Sequence, residues 1–214
     1  MVDKSNEYGY VPSSPTQARG SNTGIFEVND VTDLLLAEQW SGDFGKLELI
    51  ETQTVSSVSS ADFTSLGSYN VHFLTFNDID LSTDANIRAR LSNDGGSSYI
   101  SSGYQYATQR GNVTGSFDEL KSTSTTYFLS VFSDNGGSGT NETKEGYSYF
   151  YNLLDSSKYS FGTGMSMSTN SAAQHIMMFG SAVKPTAETH NAIQILPNTG
   201  TMTGTISLYG IAES

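Results

Sequence analysis

The stretch 68–99 constrains the fold of this chain more than any other part of the sequence. In its first half, both sets of alternating positions carry apolar residues, with Val71 and Phe73 on one side and Leu74 and Phe76 on the other. Successive side chains of a strand point to opposite sides, so this pattern predicts a strand that is buried on both faces.

The second half of the same stretch alternates between apolar and polar residues. One side of the predicted strand carries apolar residues and the other carries polar ones: Ile87, Ala89 and Leu91 against Asn86, Arg88 and Arg90. The four residues 93–96, Asn-Asp-Gly-Gly, then tolerate positive φ and predict a tight hairpin turn. A central strand, a half-exposed neighbour and a turn indicate an antiparallel sheet.

The rest of the chain repeats the pattern of strand, turn and strand, with no helix between the strands. We predict an all-β fold, a single antiparallel β-sandwich of the jelly-roll type, over residues 46–214. The other predicted strands are 47–54, 60–66, 98–108, 125–133, 146–154, 158–162, 175–183, 191–196 and 202–211.

Residues 1–45 form a separate predicted unit, an extended N-terminal arm with one short helix. The first residues, to about 24, are polar and punctuated by proline and glycine, and Asn29 or Asp30 can cap a helix over about 30–40. A helix this short needs a docking partner, either its own β domain or another protein. The apolar residues available for docking are Ile25, Phe26, Val28, Leu34, Leu35, Leu36 and Trp40.

Charge and cysteine content exclude several classes of function. Ten Lys and Arg residues against 22 Asp and Glu residues give a formal net charge of −12. Such a surface repels phosphate backbones and anionic membranes, so we expect neither as a partner. The absence of cysteine excludes disulfides and thiolate metal sites. The first 15 residues contain no apolar run, so we expect no secretory signal and assembly inside a cell.

No catalytic or cofactor motif emerges from the sequence, and we expect no enzyme, cofactor or metal centre. The three histidines are not paired at a metal-ligand spacing, and residues 164–168, Gly-Met-Ser-Met-Ser, miss the G-x-S-x-G pattern at the last position. Asp78, Asp80 and Asp84 crowd one loop. That loop is either a calcium site or an acidic loop that faces solvent.

Tyrosines recur in two of the predicted strands. Flat aromatic rings with a polar tip suit both sugar stacking and subunit interfaces. These side chains are therefore candidate contacts for a receptor or for a neighbouring subunit, with packing in the core as the third interpretation: Tyr104, Tyr106, Tyr147, Tyr149 and Tyr151.

Several segments resemble structural proteins of marine bacteriophages. Residues 23–26, Thr-Gly-Ile-Phe, lead through 29–31 to Gln39 and Trp40, and this run resembles a short N-terminal segment of tail-fibre-like and other virion proteins. Ser41 stands where that segment usually has proline. Segments 46–57, 86–99 and 204–212 resemble the β domain that often follows it.

The resemblance implies a non-enzymatic structural protein of the virion, assembled in the host cytoplasm as a homotrimer. Its partners would be other virion proteins of the tail or capsid, which the apolar arm residues would anchor, and a host surface glycan. The domain would then serve host adhesion as a tail fibre or appendage, or particle stabilisation as a capsid-decorating protein. The alternative is a carbohydrate-binding module of a bacterial surface protein.

Overall fold

The computed structural model describes residues 17–18, 21–22, 45–115, 117–128 and 136–213. Within these ranges there is no helix, and every strand pair is antiparallel. The predicted all-β antiparallel class is thereby confirmed. The predicted helix over about 30–40 lies outside the described residues.

Two very short strands of the N-terminal region pair with each other. Strand β1 (Gln17–Ala18) lies antiparallel to β2 (Ser21–Asn22), with Gln17 opposite Asn22 and Ala18 opposite Ser21. This ladder is a feature of the region that the sequence predicts as an extended arm.

The remaining strands form two sheets. Eight strands pair in the order β3-β13-β5-β9-β10-β11-β7-β8 (the large sheet), and three pair in the order β4-β12-β6 (the small sheet). Their bounds are β3 Leu47–Val58, β4 Ala61–Phe63, β5 Val71–Leu81, β6 Ile87–Ser92, β7 Tyr104–Asn112, β8 Phe117–Thr125, β9 Lys144–Tyr151, β10 Ser160–Thr169, β11 His175–Lys184, β12 Ala192–Pro197 and β13 Met202–Ile211.

The two sheets share one hydrophobic core. Large apolar side chains from both sheets lie in a single cluster with almost no exposed surface, which includes Leu74, Phe76 and Phe150 of the large sheet and Phe63, Leu91 and Ile193 of the small sheet. Phe128 lies at the centre of this cluster, with ring centroids 5.8 Å from Tyr104 and 5.9 Å from Phe150. Burial of this apolar area is the main force that stabilises the fold.

Strand β5 is buried on one face only, so the prediction of two buried faces was wrong. Leu74 and Phe76 are buried against the small sheet, whereas Val71 and Phe73 face the other way and stay partly exposed. Strand β6 follows the predicted alternation, with Ile87, Ala89 and Leu91 buried.

The turn after β6 exists, but it is not a hairpin. Strand β6 belongs to the small sheet and β7 to the large one, so the turn carries the chain from one sheet to the other. Gly95 and Gly96 adopt φ of 74° and 88°. The Asp94 carboxylate accepts hydrogen bonds from Ser98 and Ser92, and these bonds, with Ser98 foremost, lower the pKa of Asp94 to about 2.

Only the first residues of the strand predicted over 125–133 are described by the structure. A strand was expected over 125–133, but the strand in this part of the chain, β8, ends at Thr125. Phe128 pairs with Ala89 in an isolated bridge, in which Phe128 N donates to Ala89 O at 2.7 Å. Residues 129–135 lie outside the described ranges. Strand β10 continues to Thr169, whereas the predicted strand stopped at residue 162.

Candidate functional site

The face of the large sheet that points away from the small sheet carries a continuous apolar and aromatic surface. Residues opposite each other in the ladders share a face. Through these ladders Phe73 of β5 is aligned with Tyr149 of β9 and Thr163 of β10. We call this surface the outer face: Val71, Phe73, Thr75, Tyr147, Tyr149, Tyr151, Phe161, Thr163, Met165, Met167, Met177, Phe179, Ser181, Val183, Ser207, Tyr209 and Ile211.

Aromatic rings form one cluster on the outer face. The ring of Phe73 lies 4.7 Å from that of Tyr149, 6.0 Å from that of Tyr147 and 6.2 Å from that of Tyr209. Tyr149 continues the row to Tyr151, with centroids 6.4 Å apart. The side chains thus support one another while their outer surfaces remain accessible.

Exposed apolar side chains concentrate on the outer face and its edge. Tyr147 is 39% exposed, Phe161 45%, Phe179 41% and Met167 46%. Leu47 and Leu49 of β3 continue the surface, because they lie opposite Ile211 and Tyr209. Scattered exposed apolar residues are ordinary, whereas a contiguous patch of them marks an interaction surface.

Along β10 the small residues point into the protein and the large apolar residues point outward, which is the reverse of the usual pattern. Gly162, Gly164, Ser166 and Ser168 point inward, while Phe161, Met165 and Met167 point outward. A Cβ added to Gly164 would lie 2.2 Å from the Tyr147 backbone oxygen, so the inward side has no space for a larger residue. In the sequence of β10, large residues alternate with glycine and serine, and this alternation could have indicated that the large residues point outward. Phe73 and Phe179 belong to the outer face because of the register in which the strands pair, and this register cannot be read from the sequence.

A groove runs along the outer face between β10, β11, β7 and β8. Its volume is about 660 Å³. Small side chains line its middle, among them Ala107 and Ser181, while Phe161 and Lys121 stand at its borders. The groove therefore combines an aromatic ring, a cation and hydroxyl groups.

Three of the five candidate tyrosines lie together on the outer face, and two do not. Tyr147, Tyr149 and Tyr151 form the row described above. Tyr106 points to the opposite side of the sheet and packs on Tyr127, with ring centroids 6.2 Å apart. The ring of Tyr127 in turn carries the Arg88 guanidinium 4.0 Å above it.

Tyr104 cannot contact a receptor or a neighbouring subunit, so its inclusion among the contact candidates was wrong. Its side chain is fully buried beside Phe128. Its hydroxyl donates to Ile100 O at 3.1 Å and accepts from Leu91 N at 3.0 Å. Burial raises the pKa of Tyr104 to about 12. Tyr104 is therefore part of the core, and its hydroxyl is a hydrogen-bond partner for the backbone near the end of β6.

A Ser-His-Glu arrangement lies inside the domain. Ser160 Oγ and His190 Nδ1 share a hydrogen bond of 2.7 Å, and His190 Nε2 lies 3.3 Å from Glu188 Oε1. The order of groups is that of a nucleophilic triad. Both Ser160 and His190 are fully buried, however, so a substrate carbonyl has no access to Oγ. Burial also lowers the pKa of His190, which favours the neutral ring. The arrangement is a buried polar contact, in which the hydrogen bond between Ser160 and His190 pairs two groups of the interior.

Asp78 and Asp80 lie in strand β5 and only Asp84 lies in the connection after it, so the prediction that the three crowd one loop was wrong. Asp84 accepts a hydrogen bond from Ser138 Oγ at 2.9 Å, and the backbone N–H of Asp78 donates to Glu145 Oε1 at 2.9 Å. In the part of the chain that the structure describes, no group of three or more His, Asp or Glu side chains is arranged to hold a metal ion.

The cation of this region is Lys144, which the sequence analysis did not single out. Its side chain is fully buried, and Nζ donates to the backbone oxygens of Gly137 and Glu142. Burial lowers the pKa of Lys144, while the nearby carboxylates of Asp80, Glu142 and Asp84 act in the opposite direction. A lysine that holds two carbonyls together is a structural element of the loop.

The apolar residues predicted to anchor the protein to a particle, Ile25, Phe26, Val28, Leu34, Leu35, Leu36 and Trp40, all lie outside the described residues. Among the residues that are described, no helix is long and apolar enough to cross a membrane. No protein-family model matches the chain, and a comparison with curated proteins finds no match either.

Proposed function

We propose that this protein is a structural component of a bacteriophage particle, attached through its N-terminal arm and presenting a jelly-roll-like β-sandwich outward as a homotrimer. The proposal is carried by one combination of features in the chain: a start similar to that of virion proteins, with apolar residues in an otherwise polar arm, followed by an all-β domain. The role is host adhesion or reinforcement of the particle, and it involves no catalysis.

The path of the chain between the sheets supports the jelly-roll interpretation. From β3 to β6 successive strands alternate between the large and the small sheet, and β12 and β13 alternate in the same way. The bridge between Phe128 and Ala89 places a fourth segment beside β6 in the small sheet. Alternation of successive strands between two facing sheets is the feature of a jelly roll. The hairpins β7–β8 and β10–β11 then extend one sheet.

The chemistry of the described residues also supports a structural role. Strand pairing and one shared core hold the domain together, and the chain contains no cysteine that could form a disulfide. The one triad-like group, at Ser160, is closed to substrate. The large apolar outer face is suited to protein contacts of the kind that a particle component needs.

The test is to locate the protein on particles. Phage particles would be purified by density gradient from cultures that carry the gene, and their proteins identified by mass spectrometry. The proposal predicts the protein at a fixed ratio to the capsid protein, with tagged copies visible at one type of site in electron micrographs. Particles that are complete and infectious without the protein would contradict the proposal.

The groove on the outer face favours a second function, that of a carbohydrate-binding module. Phe161 offers a stacking ring, and Gln105, Lys121 and Ser181 offer hydrogen-bonding groups around it. This function predicts binding of the chain to a host surface polysaccharide in calorimetry, with loss of that binding in Phe161→Ala. Binding by a chain that is absent from particles would favour this alternative.

A further inference from the structure

We infer that the outer face of the large sheet is the contact surface between copies of this chain. The inference names the surface for the homotrimer proposed above, but it is argued from the sheet alone. The virion role can therefore fail while the self-association stands.

The centre of the outer face contains no charged side chain. In the middle of β13, β5, β9, β10 and β11, the residues that point outward are aromatic, aliphatic, methionine or hydroxyl side chains, while Asn77 and His175 lie towards the ends of this surface. Glu145 lies at one end of β9, and Glu119 and Lys121 lie on the edge strand β8. Interface centres are poor in charge and rich in tyrosine, phenylalanine and methionine, with a polar rim. The outer face has this distribution.

The overall charge indicates why the partner is a second copy. A chain with a net charge of −12 repels its own copies over most of its surface. The uncharged centre is where two copies can meet without placing like charges together. A basic partner would find no ionic contact there. A sugar would meet Met165, Met177 and Val183, whose side chains offer no strong hydrogen bond.

Shared between the two neighbours of a copy in a ring, the whole face buries about as much surface as one partner buries in a standard interface. Strands spaced about 4.8 Å apart, with about seven residues of about 3.3 Å each, give roughly 550 Å² for the five central strands and roughly 900 Å² for all eight. A stable interface of standard size buries about 800 Å² per partner.

The two halves of the outer face differ in shape, which favours a ring. One half carries the clustered rings of Phe73, Tyr149 and Tyr209, and the other carries the groove with Ala107 and Ser181 at its middle. A cluster of rings that fits the groove of the next copy makes a heterologous contact, and such contacts form a cyclic assembly where the rotation between copies closes. Three copies form the smallest ring of this kind.

The experiment is the mass of the full chain in solution, by light scattering during size exclusion and by sedimentation equilibrium. The wild type is expected at three times the 23.0 kDa of one chain. Tyr147→Glu and Phe179→Glu add a charge at exposed positions of the face and should raise the dissociation constant by about 100-fold or more. Phe161→Ser removes an aromatic ring without adding charge and should weaken association in the same direction.

Ser65→Glu is the matched control, because Ser65 is exposed in the connection after β4 and lies outside the large sheet. This variant should keep the mass of the wild type. Circular dichroism of every variant checks that the sheets are intact. A wild type that stays at the mass of one chain at about 100 µM would overturn the inference. The occupant of the face would then be another protein or the chain's own residues 1–45. Folded Tyr147→Glu and Phe179→Glu variants with the mass of the wild type would overturn it equally.

Discussion

Phe73 and Tyr149 lie directly opposite each other on neighbouring strands, β5 and β9, with ring centroids 4.7 Å apart. The pair belongs to the outer face, and Leu74, the next residue after Phe73, belongs to the core and has no exposed surface. Two adjacent apolar residues of one strand thus serve two different surfaces, one internal and one available to a partner.

This difference predicts unequal losses of stability. Leu74→Ala should lower the free energy of unfolding by about 2–5 kcal/mol, because it leaves a cavity in the core. Phe73→Ala should cost about 1–2 kcal/mol in the isolated chain, since it removes a half-exposed ring and its contact with Tyr149. Urea denaturation at low protein concentration measures both. Equal losses for the two variants would mean that the faces of β5 are assigned wrongly.

Regular alternation explains which strands could be predicted from the sequence. The predicted strand 202–211 has the observed bounds of β13, Met202–Ile211, because Ile206 and Leu208 alternate there with hydroxyl residues. Strand β8 was missed because its residues are almost all polar and because it pairs only with β7, at the edge of the sheet. Edge strands with two accessible faces carry little apolar periodicity.

The candidate site could be predicted only in part, for a related reason. The row of Tyr147, Tyr149 and Tyr151 follows from local alternation, but its continuation to Phe73 and Phe161 requires pairing between distant segments. Tyr104 has the same local pattern, yet β7 passes over Phe128 at that point and the tyrosine becomes part of the core. A tyrosine at a given position therefore does not reveal whether another part of the chain packs on that side of the strand.

Two buried histidines predict sensitivity to acid. Burial lowers the pKa of His72 and of His190 below the usual histidine value of about 6.5. A hydrogen bond to Leu66 O opposes the lowering at His72, and Glu188 opposes it at His190, where Lys184 adds to it. The unfolded chain therefore binds more protons than the folded chain below about pH 6.5. Their contribution to stability is fully present above that pH and is lost as the pH falls below it.

The loss should reach up to about 1.4 kcal/mol per pH unit for each histidine. Urea denaturation at several pH values from about 8 to about 5 gives the slope. A His72→Gln, His190→Gln double variant should show a smaller slope over this range, whatever its absolute stability. His175→Gln is the matched control, because His175 is exposed and its removal should leave the slope unchanged. An unaltered slope in the double variant would show that other groups control the acid response.

Gly164 is predicted to be intolerant of any side chain. In the ladder it lies between Ser148 of β9 and Gly180 of β11, and an added Cβ would lie 2.2 Å from the Tyr147 backbone oxygen and 2.8 Å from the Ser148 Cα. Backbone atoms cannot move aside without separating the strands. We expect Gly164→Ala to cost at least about 3 kcal/mol or to prevent folding. Thr163→Ala, at the neighbouring outward position, should cost less than about 1 kcal/mol by thermal melting.

Lys144 is predicted to be a structural cation. Lys144→Met keeps the length of the side chain but leaves the Gly137 and Glu142 carbonyls without their donor, and should cost about 2–4 kcal/mol. Lys121→Met is the matched control, because Lys121 is exposed and forms an exposed ion pair of 3.0 Å with Glu119. Its expected cost is under about 0.5 kcal/mol. Similar melting curves for the two variants would contradict the structural role.

Attachment through the arm is tested by the amount of this protein on purified particles when residues 1–45 are deleted. We expect that the chain of residues 46–214 is expressed, folds with a cooperative melt and is missing from particles, while the full chain is present. The full-length Leu35→Ala, Trp40→Ala double variant should be depleted on particles and keep the melting temperature of the wild type. Residues 46–214 at the same level on particles as the full chain would contradict attachment through the arm.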